Sequence, residues 1–194
     1  MLKFKKVNGN LVHATAIINW KKVIIGKNNT IGPYAVIGMK AQWKDKKSSG
    51  KIIIGNNNFI HEYCNIHLPT NITRETKIGN NNYFMNSTTI DHDCHIEDNV
   101  QLNSNVILGG NVFIMKNAQL GMKVIIHQGQ VIGSYSMIGM GSIITKKKKI
   151  EPGYIYYGKP VKKIRKNSIG LKKNKITSDI LKKEYKRFLK YKKK

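Results

Sequence analysis

Residues 90–114 read IDHDCHIEDNVQLNSNVILGGNVFI, with Ile90, Ile96, Leu102, Leu108 and Ile114 falling six apart. The spacing runs on in both directions, through Ile78 and Phe84 on one side and Leu120, Ile126, Ile132, Ile138, Ile144 and Ile150 on the other. Neither a helix, with a period near 3.6, nor a plain strand, with a period of about 2, repeats in this way. A hexapeptide that makes one short strand and one corner does, and stacking such units buries the recurrent residue along a common axis. The residue four places later in each unit is often small or β-branched: Thr88, Cys94, Val100, Val106, Val112, Ala118, Val124, Ser136 and Ser142. Two inward positions per unit are therefore specified, and the predicted fold is a β-solenoid.

The frame also reads upstream. Ile25, Ile31 and Ile37 lead into an insertion over 39–53, and Ile54, Ile60 and Ile66 lead into a second over 68–77. Both are predicted to be loops thrown out from a continuous coil, where solenoids tend to carry function. Val12 and Ile18 are six apart but one residue out of frame with Ile25, which marks residues 1–24 as a first, irregular coil. At the other end Tyr157-Gly-Lys-Pro-Val161 is a turn signal that closes the solenoid. Beyond it Leu181, Tyr185, Phe188 and Leu189 fall at i, i+4, i+7 and i+8, predicting one amphipathic helix capped by Thr177 or Ser178. The chain thus divides into a solenoid over 1–157 and a basic extension over 158–194.

The net charge is +25, and its distribution is uneven. Residues 146–194 hold 20 Lys and Arg against 3 Asp and Glu, an excess of 17 that leaves 8 for the rest of the chain. Such an end suits an anionic partner: a nucleotide, the phosphopantetheine of a thioester donor, or an acidic carrier protein. No recognition helix, finger or RNA platform accompanies the charge, so a nucleic-acid partner is not expected. No run is long and apolar enough to span a membrane, and MLKFKKVNGN lacks the apolar stretch of a signal peptide, so the expected location is the cytoplasm without integral membrane association. Cys64 and Cys94 both fall on the inward small position and read as core residues. The string His92-Asp-Cys-His95 resembles a metal cluster, but the frame sends its members in different directions, and no metal site is expected.

Three hexapeptides complete one triangular coil, so residues eighteen apart stack on one edge at a strand spacing of about 4.8 Å. His92, Gly110 and Gln128 obey this relation, and so do Asp93, Asn111 and Gly129. A histidine at a solvent-facing corner titrates near neutrality and can take a proton from an attacking hydroxyl or amine. A glycine amide one coil away can approach a tetrahedral oxyanion closely. No serine elbow, outward cysteine, phosphate-binding glycine loop or metal spacing competes. The set points to direct acyl transfer by a general base, with no covalent intermediate and no cofactor beyond the acyl-thioester co-substrate.

The segments Leu11-Val-His-Ala-Thr-Ala-Ile-Ile18, Ile60-His-Glu-Tyr-Cys-Asn-Ile-His67, Thr76-Lys-Ile-Gly79, Ile90-Asp-His-Asp-Cys94, Leu108-Gly-Gly-Asn111, Ile126-His-Gln128 and Ile169-Gly-Leu-Lys-Lys173 occur in the order found in the UDP-N-acetylglucosamine O-acyltransferases of lipid A biosynthesis, a family that the chain resembles over nearly its whole length. The resemblance implies a left-handed parallel β-helix, a homotrimer with sites between subunits, and transfer of an acyl group from acyl carrier protein to the 3-hydroxyl of a UDP-sugar. It also implies roles: His92 as base, Asp93 as the acid that steadies it, and Gly110 as amide donor to the thioester oxygen. His67, His127 and Gln128 would line the cleft, and Asn167 and Lys173, with neighbouring Lys172, would hold donor or nucleotide. Met140 would limit the acyl chain.

The chain departs from the family pattern at several points. Thr89 and Asn111 replace histidines and are the candidate substrate-binding residues at those positions, the acceptor loop reads Gln42-Trp-Lys-Asp45, and the C-terminal extension is short. Gly158-Lys-Pro-Val-Lys162 looks more like the closing turn of sugar acetyltransferases. These features are compatible with an amino-sugar N-acyltransferase using an acyl-CoA. A non-catalytic β-helix assembly protein is the rival from a different class, and retention of His92 beside Asp93 speaks against it.

Overall fold

The structure, a computed structural model, describes residues 3–146 and 148–192. Met1, Leu2, Lys147, Lys193 and Lys194, counted above for charge or for the leader reading, lie outside the described residues. Among the described residues the strands form three sheets of ten, six and seven members, and successive strands visit the three sheets in turn. In the regular part the ladder joins residues eighteen apart: Thr89 pairs with Ile107 and Ile107 with Ile125 on one face, Tyr83 with Gln101 and Gln101 with Gln119 on another. The result is a left-handed parallel β-helix, an exception to the usual right-handed crossover.

All thirteen residues of the hexad series from Ile78 to Ile150 are at most 1% exposed, so the periodicity is the core. The small positions are buried as well. Ser136 and Ser142 are tolerated there because each hydroxyl donates to a carbonyl of its own turn, Gly133 and Gly139 respectively, at 2.7 Å.

The corners have their own chemistry. Asn81, Ser87, Asp93, Asn99, Asn105, Asn111, Asn117 and Lys123 all have φ between 56° and 62°, one left-handed residue per hexapeptide. Asparagine and aspartate tolerate this region better than other L residues, which accounts for the asparagine-rich sequence. A second use of asparagine is internal. Asn10, Asn29, Asn58 and Asn82 form a buried ladder in which each Oδ1 accepts the backbone N–H of the next rung at 2.8 Å, and Val100 N closes it on Asn82 Oδ1 at 2.7 Å.

The extension carries more regular structure than the one helix expected. It is continuous with the solenoid, because strand Lys162–Lys166 adds antiparallel to Tyr154–Tyr157 as the last member of the ten-stranded sheet. It also carries two helices, α1 (Ser168–Lys173) and α2 (Ser178–Lys192), instead of one. A helix of six residues is too short to register as a periodic signal. Thr177 caps α2 as predicted, its Oγ1 accepting from Ile180 N at 3.3 Å. The buried face of α2 includes Phe188 and also Glu184, which accepts from Ser134 Oγ at 3.1 Å and pairs with Lys116 at 3.0 Å and Arg187 at 2.7 Å. Arg187 reaches on to Glu97, and Tyr191 stacks on Phe113. The helix is thereby fastened along the flank of the coil.

Asn58→Ala removes one rung of the internal ladder and leaves the buried Asn82 N–H without its acceptor. It should lower the free energy of unfolding by about 1–3 kcal/mol for each buried group left unpaired, read as a fall in the urea midpoint. An unchanged midpoint would show that the ladder is not needed.

Candidate active site

His92 lies at a corner, as the frame predicts, but the expectation of a solvent-facing ring is corrected: the residue is only 5% exposed. The two insertions account for this. They are tied together by an antiparallel bridge between Ser48 and Thr70 and by hydrogen bonds from Ser49 N to Pro69 O at 2.9 Å and from Asn71 N to Lys47 O at 3.2 Å. Gly50, at φ +86°, lies against the Arg74 carbonyl, where a Cβ would collide. So joined, the loops fold over the corner. The Trp43 ring stands 5.2 Å from the His92 ring, centroid to centroid.

The second insertion holds Asp93. Thr70 N donates to Asp93 Oδ1 at 3.1 Å, Thr70 Oγ1 donates to Oδ2 at 2.7 Å, and Thr73 Oγ1 donates to Oδ1. Asp93 N in turn donates to Thr76 Oγ1 at 3.0 Å. Burial pushes the Asp93 carboxyl upward, but the hydrogen bonds from Thr73, Thr70 and His92 outweigh it and hold it below the usual carboxylate range. Asp93 Oδ2 is 2.7 Å from His92 Nδ1. An ionised carboxylate only accepts, so Nδ1 carries the proton and Nε2 presents a lone pair.

Beneath the ring lies Gly110, where any Cβ would collide with Cε1, Nε2 and Nδ1 of His92. The Gly110 N–H donates to no group among the described residues, which leaves it available to a developing oxyanion. A cavity of about 200 Å³ opens here, lined by Trp43, Ile72, Thr73, His92, Asp93, Gly110, Asn111, His127, Gln128, Gly129 and Lys146. His92, Gly110, Gln128 and Lys146 are successive members of one eighteen-residue stack.

Six of the twelve sequence-predicted residues therefore come together: His92, Asp93, Gly110, Asn111, His127 and Gln128. His67 is buried behind them, its Nδ1 3.5 Å from Asp91 Oδ1. Burial lowers its pKa, partly offset by Asp91 and reinforced by His92, which favours neutral imidazole. Thr89, Met140, Lys172 and Lys173 do not line the cavity within one chain. Thr89 lies on a sheet face beside Asn65 and Ile107. Met140, 61% exposed, sits beside Met122 at a different corner, and the two lysines are exposed on α1. Asn167 likewise does not line the cavity within one chain. It caps α1 by accepting from Gly170 N at 3.1 Å while its Nδ2 donates to Tyr135 O at 2.9 Å, so both ends of its amide are used internally. Trp43, Thr70, Thr73, Asp91 and Lys146 escaped the sequence reading, although the stacking rule that found Gly110 also reaches Lys146. Cys64 and Cys94 are free, and burial pushes both thiols up to about 12, which removes them as nucleophiles.

In structure the chain is similar to the UDP-N-acetylglucosamine acyltransferase LpxA of Bacteroides fragilis, with 31% identity and a TM-score of 0.83 over 92% of this chain and 69% of that one. The chain belongs to the UDP-N-acetylglucosamine acyltransferase family. The Arabidopsis member gives 28% identity and a TM-score of 0.79, covering 90% of this chain and 68% of that one. Among curated proteins, the acyl-(acyl-carrier-protein)–UDP-N-acetylglucosamine O-acyltransferase of Paraburkholderia phytofirmans is 39% identical over 88 residues, 44% of this chain and 34% of its own. The match spans about a third of the length of such curated family members. No protein-family model matches the chain.

Asp93 contributes stability that is complete above the ordinary carboxylate range and lost as pH falls through its lowered native pKa. Thr73→Val should therefore lower the melting temperature at neutral pH and have less effect in strong acid, where the carboxylate is protonated in both proteins. Equal losses at both pH values would show that Thr73 acts by packing alone.

Proposed function

We propose that the chain transfers an acyl group from the thioester of acyl carrier protein to the 3-hydroxyl of UDP-N-acetylglucosamine, with His92 as general base. The observation that carries this reading is the 2.7 Å contact between His92 Nδ1 and a carboxylate that the second insertion keeps ionised. The names of the relatives support the substrates. His92 Nε2 takes the proton of the acceptor hydroxyl as its oxygen attacks the thioester carbon. The Gly110 amide stabilises the oxyanion, and the proton passes to the leaving thiolate.

Asp93 is a positioning residue: it holds the ring and favours the imidazolium formed during transfer. Lys146, His127, Gln128 and Asn111 line the cleft for the polar parts of the substrates. The assembly is a homotrimer, supported by the apolar outer face on which Ile17, Ile107 and Ile125 are 56%, 43% and 42% exposed. Such an assembly supplies the opposite wall of the cleft, to which Met140, as acyl-length limit, and Thr89 belong. Lys172 and Lys173 recruit the acidic carrier protein. The reaction takes place in the cytoplasm. Among the described residues no helix is long and apolar enough to cross a membrane.

His92→Ala should lower turnover about 10²–10⁴-fold with the oligomeric state unchanged; a variant retaining a tenth of wild-type turnover would remove His92 from the chemistry. Replacing Lys172 and Lys173 with Ala should raise the donor KM more than it changes kcat, and the difference should shrink as salt is added. A salt-independent KM would mean that the two lysines are only a solvated surface.

A further inference from the structure

The C-terminal end of the solenoid is closed by residues 158–173, which hold seven Lys and Arg and no Asp or Glu. Strand Lys162–Lys166 is the last member of the ten-stranded sheet, exposed at all five positions, and α1 begins two residues after it. Among the described residues only Lys163 of the seven has an ion pair, with Glu151, and its Nζ also stands 3.5 Å from the centre of the Tyr154 ring. Lys159, Lys162, Arg165, Lys166, Lys172 and Lys173 carry charge that no carboxylate of the fold offsets. The face is separate from the His92 cavity, none of whose lining residues falls in 158–173.

Lysines on a free edge strand are an ordinary device against edge-to-edge association. That device does not account for the apolar residues set among them. Ile164, the extra residue of a bulge opposite Ile155 and Tyr156, is 56% exposed, and Ile169 on α1 is 78% exposed, the highest value for a large hydrophobic side chain among the described residues. Tyr157, paired with Lys162, is 56% exposed as well. Apolar tips standing in water between unpaired cations mark a surface built for a partner that is anionic outside and apolar beneath.

We propose that this end of the solenoid rests on the surface of a bilayer that contains anionic lipid. The cations meet the headgroup phosphates, Ile164 and Ile169 enter the boundary between headgroups and acyl chains, and the Tyr157 ring stays at headgroup level. Charge draws the face to the surface and the apolar tips hold it there. An acidic protein would match the charge, but it would have to offer a shaped recess for each isoleucine. A bilayer accepts both without one. The contact is peripheral, made by the closing strand and the first turn of α1.

Cosedimentation of the full chain with vesicles of phosphatidylcholine alone, and of phosphatidylcholine mixed with phosphatidylglycerol, tests this. The protein should bind the mixed vesicles only, and less of it as salt is added. Lys162→Ala combined with Arg165→Ala should weaken the partitioning about fivefold for each charge removed. Ile164→Ser combined with Ile169→Ser should weaken it about tenfold or more. Both double variants alter exposed side chains and should keep the wild-type melting temperature and oligomeric state; they spare Lys172 and Lys173, which are assigned above to the carrier protein. Absence of binding to the mixed vesicles overturns the proposal. So does binding that the isoleucine changes leave unaltered, since that is charge attraction alone. Loss of affinity for acyl carrier protein in the same variants, without vesicle binding by the wild type, would give the face to an acidic protein and likewise overturn it.

Discussion

The parallel ladder fixes residue n over residue n+18, and the rest of the structure depends on that register. Backbone bonds such as Thr89 N to Val106 O and Ile107 N to Val124 O, both 2.9 Å, leave no freedom for a coil to slip without turning its isoleucines outward. The same constraint that buries the core therefore stacks the corners. His92 lies over Gly110 because Thr89 pairs with Ile107, and a glycine is needed there because the imidazole rests on it. Core packing and site geometry are two readings of one register.

Register alone would yield a solvated histidine. The insertions change its surroundings, and they do so at the two places where the period breaks. Thr70 and Thr73 give Asp93 the donors that keep it ionised in a buried corner, and the Trp43 ring packs beside the imidazole. Asp93 is also the left-handed residue of its hexapeptide, with φ 62°. A position that the fold fills most often with asparagine carries a carboxylate here, with little extra backbone cost.

These two layers differ in how well the sequence reveals them. The hexad residues, the inward small positions and the stack of His92, Gly110 and Gln128 are legible because each follows from a period. Trp43, Thr70 and Thr73 lie in insertions, where no period applies, and their contacts depend on how two loops fold on one another. Asp91 was hidden for a different reason. It occupies an ordinary outward position, and only its distances to His67 and His92 distinguish it. Asn167 was marked by the resemblance alone, and its capping of α1 was hidden because that helix is too short to leave a periodic signal.

The central claim is that Asp93 holds His92 with Nδ1 protonated and Nε2 free to accept a proton. Nitrogen-15 NMR of the histidine side chains, with His92 assigned by its loss in His92→Gln, reads this directly. At a pH where the ring is neutral, the account predicts a protonated Nδ1 and an unprotonated Nε2 in the wild type, with that preference lost in Asp93→Ala. A proton residing on Nε2 in the wild-type protein would contradict it.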